Sequence, residues 1–187
     1  MKIGVLALQG DFSEHLHILN FLGVDAVDVR LPTHLRELDG LIIPGGESTT
    51  IGKLMKIYGL DKAIIERYQN GMAIWGTCAG AILLAKDIAG SKQPKLGLMD
   101  ISIKRNEYGR QIDSFEAELE VKGMGNIHGV FIRAPIIHSI GEDVEILTSH
   151  EHQPVLVRQG RLLASTFHPE LSGSSKVHGY FVKVVCR

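Results

Sequence analysis

Short apolar runs closed by glycine or cysteine punctuate the first half of the chain. "KIGVLAL" (2–8) stops at Gln9-Gly10, "GLIIPGG" (40–46) at a glycine pair, and "MAIWGTC" (72–78) at a cysteine. Uninterrupted apolar runs of this length predict strands buried on both faces, as in a parallel sheet. "DAVDVRL" (25–31) predicts one more strand. Between the runs the spacing becomes helical. Phe12, Leu16, Leu19 and Leu22 share a face of a helix that starts near Asp11 and closes at Gly23. Residues 47–58 and 61–68 predict two further helical stretches before the Asn70-Gly71 break. "AGAILLAKDI" (79–88) predicts a helix springing directly from the fourth strand.

From Leu98 onward the texture changes. "DISIKRN", "FEAELEV", "GVFIRA", "VEILTSH", "PVLVRQG" and "RLLASTFH" alternate more and are joined by turn residues, which predicts a mixed, partly antiparallel set of strands. A last helix carries Val177, Tyr180, Phe181 and Val184 on one face and is expected to pack as a lid on the core. The whole pattern predicts an α/β fold: a three-layer, mostly parallel sheet with helices on both faces and a partly antiparallel C-terminal extension. With 187 residues and no linker, repeat or low-complexity tract, residues 1–187 are expected to form one domain.

Composition narrows the function. A net charge of -1, from 20 Lys and Arg against 21 Asp and Glu, offers no electrostatic case for a nucleic-acid or membrane partner. No apolar run approaches the length of a membrane span. The short N-terminal apolar run stops without a small-residue cleavage site, so it is expected to be a strand rather than a leader. Two cysteines, Cys78 and Cys186, make no disulfide framework, and a reducing cytoplasmic setting is expected.

The chemistry gathers at three strand ends. Gly76-Thr77-Cys78-Ala79-Gly80 sits at a strand-to-helix junction. Small neighbours around a reactive side chain are what a sharp nucleophile elbow needs. The helix start would favour a thiolate, and the backbone N–H of Ala79 would face an oxyanion. The competing reading is a buried cysteine acting as a small hydrophobe. A cysteine nucleophile needs a base. His168, at the end of the run 162–167, could reach the carboxyl edge of the sheet, with Glu170 turned back onto the imidazole across Pro169. Alone, His-Pro-Glu reads as a capped strand end. The third element, "PGGEST" (44–49), permits close backbone approach to a ligand and a freely oriented peptide N–H, but it lacks the spacing and lysine of a P-loop. Alone it is a plain strand-to-helix turn.

Other features carry less. His150-Glu151-His152 and His15-Leu16-His17 have metal-compatible spacing but no cysteine or further histidine close by in sequence, so they read as solvated surface histidines; no metal is expected. Arg105, Arg110 and Arg133 form no basic patch, although "RNEYGRQ" and "FIRAP" are turn-bounded and could hold a carboxylate. Cys186 reads as incidental.

Together "LALQGD", "PGGESTT", "GTCAG", "RNEYGRQIDSFE", "FIRAP" and "FHPEL" resemble the class I glutamine amidotransferases, and among them the glutaminase subunits of pyridoxal phosphate synthase. The resemblance covers essentially the whole chain, in the family's order, with no departure at a motif position. It implies a Cys78–His168–Glu170 triad, with a γ-glutamyl thioester on Cys78 and His168 moving the protons. It implies an oxyanion hole from Gly46 and Ala79, and a glutamine pocket lined by Gly46, Glu47, Ser48, Arg105, Ile132 and Arg133. No cofactor is implied. The implied partner is a separate synthase subunit, in a large hetero-oligomer, that builds pyridoxal phosphate from a pentose phosphate and a triose phosphate. The glutaminase would be poorly active without it.

Three rivals stay open at this level. A stand-alone cysteine hydrolase or chaperone-like protein would share the elbow but not the "PGGEST" and His-Pro-Glu pair. A glutaminase serving another synthase, such as that for imidazole glycerol phosphate, is opposed by "RNEYGRQIDSFE". A non-catalytic module is opposed by the intact Cys78, His168 and Glu170 set. Turnover of glutamine against peptides separates the first.

Overall fold

The computed structural model describes residues 1–105 and 114–187. Strand β1 (Lys2–Leu6) leads into α1 (Phe12–Phe21), β2 (Asp25–Val29) and β3 (Gly40–Ile43). Then follow α2 (Ser48–Ile57), α3 (Leu60–Gln69), β4 (Ala73–Thr77) and α4 (Ala79–Leu84). The second half is mostly strand: β5 (Ala85–Ile88), β6 (Met99–Lys104), β7 (Phe115–Val121), β8 (Gly125–Phe131), β9 (Ile136–Ile140), β10 (Glu145–His150), β11 (Gln153–Gln159) and β12 (Leu162–Ser165). The chain closes with α5 (Lys176–Tyr180), which widens into a π-helical turn over residues 181–185.

Seven strands form the central sheet in the order β10-β11-β12-β4-β3-β1-β2. The five from β12 to β2 are parallel, and β11 and β10 extend the sheet antiparallel. The parallel part has the doubly wound, flavodoxin-like order, in which ligands bind beyond the carboxyl ends of the strands. Successive residues of each strand serve opposite faces. Leu41, Ile43 and Ile74 pack with α2, α3 and α4 on one side. Ile42, Trp75 and Leu163 pack with Leu19 of α1 and Phe181 on the other. That double burial is why these strands read as continuous apolar runs. The predicted α/β architecture with its partly antiparallel extension is the one observed.

Two local expectations give way, and one strand is new. The helix predicted over 79–88 ends at Leu84, and residues 85–88 form β5, paired parallel with β6. Its register shifts between Ala85 and Asp87, so Ala85 and Ile88 are buried with Lys86 and Asp87 exposed. A bulged strand thus buries positions three apart and imitates a helical period. Strand β9, antiparallel to β6, matches none of the runs read from the sequence. In the last helix, Val177 and Phe181 are buried as expected, but Val184 is 40% exposed and Val185 takes its place in the core. The π-helical turn adds a residue to the repeat and rotates the apolar face by one position.

Several motifs sit at one edge. Gln9 to Asp11 follow β1, Gly45 to Ser48 follow β3, Cys78 follows β4 and His168 follows β12. Parallel pairing aligns these carboxyl ends. Among the described residues, no helix is long and apolar enough to cross a membrane.

Candidate active site

Cys78 occupies a conformation that L-residues avoid, with φ 46° and ψ -100°. It is held there between β4 and α4, with its N–H donating to the Ser165 carbonyl at 2.8 Å. The flanking glycines are required by contact. A Cβ on Gly76 would lie 2.4 Å from the Gly80 carbonyl group, and one on Gly80 would lie 2.0 Å from the Ile43 oxygen. The elbow therefore depends on Gly-x-Cys-x-Gly for steric reasons. Ala79 is the first residue of α4, so its N–H has no partner within the helix.

His168 is placed by its own N–H, which donates to Val130 of β8 at 2.8 Å, and by the short 3₁₀ turn of residues 169–171. Its ring meets Cys78 on one side, where the sulfur also lies 3.9 Å from the Ile132 carbonyl oxygen. On the other, Nδ1 lies 2.7 Å from Glu170 Oε1. Burial draws the imidazole's pKa down, but the pull of Cys78 and the hydrogen bond to Glu170 outweigh it and take the value up to about 10. Burial pushes Glu170 up, and the contact with His168 opposes that. The carboxyl of Asp11 stands 3.7 Å from the same Nδ1.

A cleft of about 520 Å³ opens over the sulfur. Gly46, Glu47, Ser48, Cys78, Ala79, Arg105, Ile132, Arg133 and His168 all line it, so the structure gathers the sequence-derived candidates around one cavity. Glu170 lies behind His168, its side chain fully buried. Arg110 and most of its motif fall in residues 106–113, outside those described.

The cleft wall is built by cross-links between loops. Glu47 caps α2: its carboxylate accepts from the N–H groups of Thr49 and Thr50 at 3.0 and 2.7 Å. Burial raises its pKa, but the Thr50 hydroxyl, which donates at 2.7 Å, and these two N–H groups prevail and lower it to about 2. Arg105 donates to Gln93 Oε1 at 3.0 Å and Thr49 Oγ1 at 3.2 Å, and lies 3.5 Å from Glu47 Oε1. Its guanidinium is thereby held over the start of α2. Arg133 is exposed, with φ 45°. The Gly45–Glu47 turn is tied to the loop after β1: Asp11 N–H donates to the Gly45 carbonyl at 3.1 Å, and Glu47 N–H to Gln9 Oε1 at 2.7 Å.

Sequence reasoning missed Asp11, Gln93, Ile82 and Leu171. It misplaced His15, which is not a surface histidine but is fully buried behind Glu170. The signal was available: residues 12, 15 and 19 share a helix face, and burial runs through His15 and Leu19. His17 and His152 are exposed as expected, whereas His150 is half-buried and stacks on Phe115 with ring centroids 5.3 Å apart. Cys186 is buried beside Gly40, and burial pushes its thiol up to about 12, which suits a passive core residue.

Residues 5–187 match the model of the SNO glutamine amidotransferase family. The pyridoxal 5'-phosphate synthase subunit PdxT of a Thermus thermophilus strain is 53% identical over 184 residues, 97% of this chain and 96% of that protein. The PdxT subunit of Thermotoga maritima is 49% identical over 187 residues, 99% and 100% of the two chains. A crystal structure of a glutamine amidotransferase superposes with a TM-score of 0.94 at 53% identity, covering 98% of both chains. A putative GMP synthase component from Thermoplasma acidophilum shares the fold, with a TM-score of 0.72 at 19% identity, covering 100% of this chain and 94% of that one.

Proposed function

The chain belongs to the SNO glutamine amidotransferase family, and from that premise we propose that it is the glutaminase subunit of a pyridoxal 5'-phosphate synthase, supplying ammonia for vitamin B6 synthesis. The near full-length likeness to PdxT subunits supports the pathway. One observation carries the chemistry: His168, hydrogen-bonded to the buried Glu170, lines the same cleft as Cys78, and the glutamine-pocket candidates rim it.

Cys78 Sγ attacks the side-chain amide carbon of L-glutamine. The N–H groups of Ala79 and Gly46 hold the oxyanion. The His168 imidazolium gives its proton to the leaving nitrogen, and ammonia departs from a γ-glutamyl thioester. His168, now neutral, takes a proton from water as it attacks the thioester, and glutamate leaves with Cys78 restored. Glu170 keeps the imidazole oriented throughout. Arg105 or Arg133 pairs with the substrate α-carboxylate, while Glu47, Ser48 and Ile132 shape the pocket. The ammonia passes to a synthase subunit within a hetero-oligomer in the cytoplasm. Ammonia release from glutamine, with and without that subunit, tests the reading. Turnover that survives Cys78→Ala refutes it.

A further inference from the structure

Behind Glu170 lies a chain of buried polar groups that the proposed reaction does not use. His15 of α1 and His178 of α5 have no exposed surface, and their ring nitrogens Nδ1 and Nε2 lie 2.9 Å apart. His15 Nε2 stands 3.4 Å from Glu170 Oε2 and 3.4 Å from the Thr77 hydroxyl. Trp75 meets both imidazoles edge-on, with centroids 5.6 Å from His15 and 4.8 Å from His178.

We propose that His15 is a positioning residue of the glutaminase, donating its Nε2–H to the second oxygen of Glu170, with His178 fixing the tautomer that allows it. The proposal rests on the triad reading above.

The argument is one of satisfaction. Glu170 Oε1 is bonded to His168, but Oε2 is buried with no hydrogen bond of ordinary geometry. A buried carboxylate oxygen needs a donor. His15 Nε2 faces it and is close enough to tighten onto it by a small ring rotation. A neutral imidazole that donates from Nε2 must accept at Nδ1. His178 Nε2 is the group at that Nδ1, so His178 is the donor there. This leaves His178 Nδ1 as a bare lone pair, and that atom is indeed buried without a partner. The opposite direction, with the Thr77 hydroxyl or a protonated Glu170 donating to His15 Nε2, would strand a buried N–H on His178 instead, which is the costlier defect. Protons thus point one way, from His178 to His15 to Glu170, and from His168 to the other oxygen of Glu170.

Burial, aided by the nearby His178 and His168, holds His15 well below the usual histidine range, and burial takes His178 down to about 3. Both rings are therefore neutral, as the tautomer argument requires. The charged and titratable groups facing Glu170 are His168 from the turn after β12, His15 from α1 and Asp11 at the start of α1. Asp11 repels the carboxylate. His15 is the donor that offsets Asp11 and burial together.

The test compares His15→Leu, which removes the donor, with His15→Gln, whose amide N–H can replace Nε2–H. Glutamine hydrolysis is followed with the synthase subunit present. His15→Leu is expected to lower kcat on the order of tenfold with KM little changed. Its acid limb should also move to higher pH, because Glu170 protonates more readily and, once neutral, holds the His168 imidazolium less firmly. His15→Gln is expected to restore most of kcat and the original limb. Equal rates and limbs in wild type and His15→Leu, or equal damage in both variants, overturn the proposal. Nitrogen-15 NMR of the histidines in the unaltered protein decides independently of activity and of whether the variants fold. His15 protonated at Nε2 alone is expected, and a proton on its Nδ1 overturns the proposal. Full turnover in Cys78→Ala would instead reject the triad reading, leaving the tautomer result standing.

Discussion

His168 Nδ1 lies 2.7 Å from Glu170 Oε1, although only Pro169 separates the two residues. The proline opens a 3₁₀ turn that folds the carboxylate back beneath the ring. Orientation is thus local, while Cys78, on the ring's other side, comes from the end of a different strand, β4. His168→Asn removes proton transfer and is expected to cost about 10²–10⁴ in kcat. Glu170→Gln still offers an acceptor to Nδ1 and should cost much less. Ammonia release by both variants beside the synthase subunit checks the ranking, and near-normal rates in both would move the base elsewhere.

Cys78→Ala should abolish glutamine hydrolysis and leave the fold intact, since the elbow is set by its glycines and a smaller side chain adds no contact. A glutamine-like electrophile should label Cys78 and spare Cys186, whose thiol burial pushes up to about 12. Mass spectrometry of the labelled peptides reads this directly.

The elbow glycines give a stability prediction. Gly80→Ala drives a Cβ to 2.0 Å from the backbone oxygen of Ile43, so strand and helix must part. A loss of roughly 1–3 kcal/mol is expected, the range for overpacked cores. Gly179, in α5, has open space where a Cβ would go and no left-handed φ. Gly179→Ala should therefore be neutral or stabilise by about 0.4–1 kcal/mol. Urea unfolding of the pair measures both, and equal destabilisation would contradict the contact argument.

These elements differ in how openly the chain displays them. The elbow was legible because its requirement is local: glycines two residues either side of a cysteine, between two apolar runs. The parallel sheet was legible because burial on both faces erases alternation. β5 was hidden by its bulge, and Val184 by a π-helical turn that no residue in the run announces. His15 and Gln93 were hidden for another reason. Each meets its partner, Glu170 and Arg105 respectively, across elements that no local pattern links, and only the assembled fold brings them together.

Glu47 gives a pH prediction. Against the opposing pull of burial, its hydrogen bonds to the start of α2 lower its pKa from 4.5 to about 2. A depressed carboxylate contributes stability that is present above the unfolded value and lost as pH falls through the folded one. Glu47→Ala should therefore lower Tm near neutral pH, and the difference should shrink as pH falls from 4.5 towards 2. The group is half exposed, so solvent screening limits the effect to a cap of roughly 1 kcal/mol, about 2–4 °C in a chain of this size. A Tm difference that stayed constant down to low pH would assign the cap's effect to something other than charge.

Arg105 is pre-set by Gln93, Thr49 and Glu47, whereas Arg133 stands exposed in a left-handed conformation across the cleft. A guanidinium held in place loses less freedom on pairing with a carboxylate. Replacing the true partner should raise KM steeply while Cys78 stays reactive to small alkylating agents. Unchanged glutamine affinity in both Arg105→Ala and Arg133→Ala would reject the assignment of the α-carboxylate to either.

A glutaminase that worked alone would waste its substrate, and the Gly45–Gly46 peptide is the natural place for a gate. Its carbonyl is bonded to the Asp11 N–H, and the next N–H, of Glu47, is bonded to Gln9. The turn's orientation is therefore coupled to the loop after β1, and rotating the peptide breaks the bond to Asp11. Glycine on both sides makes that rotation sterically cheap. An N–H facing the oxyanion stabilises the transition state by roughly 2.7–4 kcal/mol, and a carbonyl there repels it. A synthase subunit docked against Gln9-Gly10 and residues 45–49 would select the N–H-in state. The isolated chain should then turn over slowly, and the synthase should raise kcat by about 10²–10³. Gln9→Ala, which frees the Glu47 N–H, should reduce that stimulation more than it changes the isolated rate. Equal kcat with and without the synthase, at saturating glutamine, would show that no gate operates at this turn.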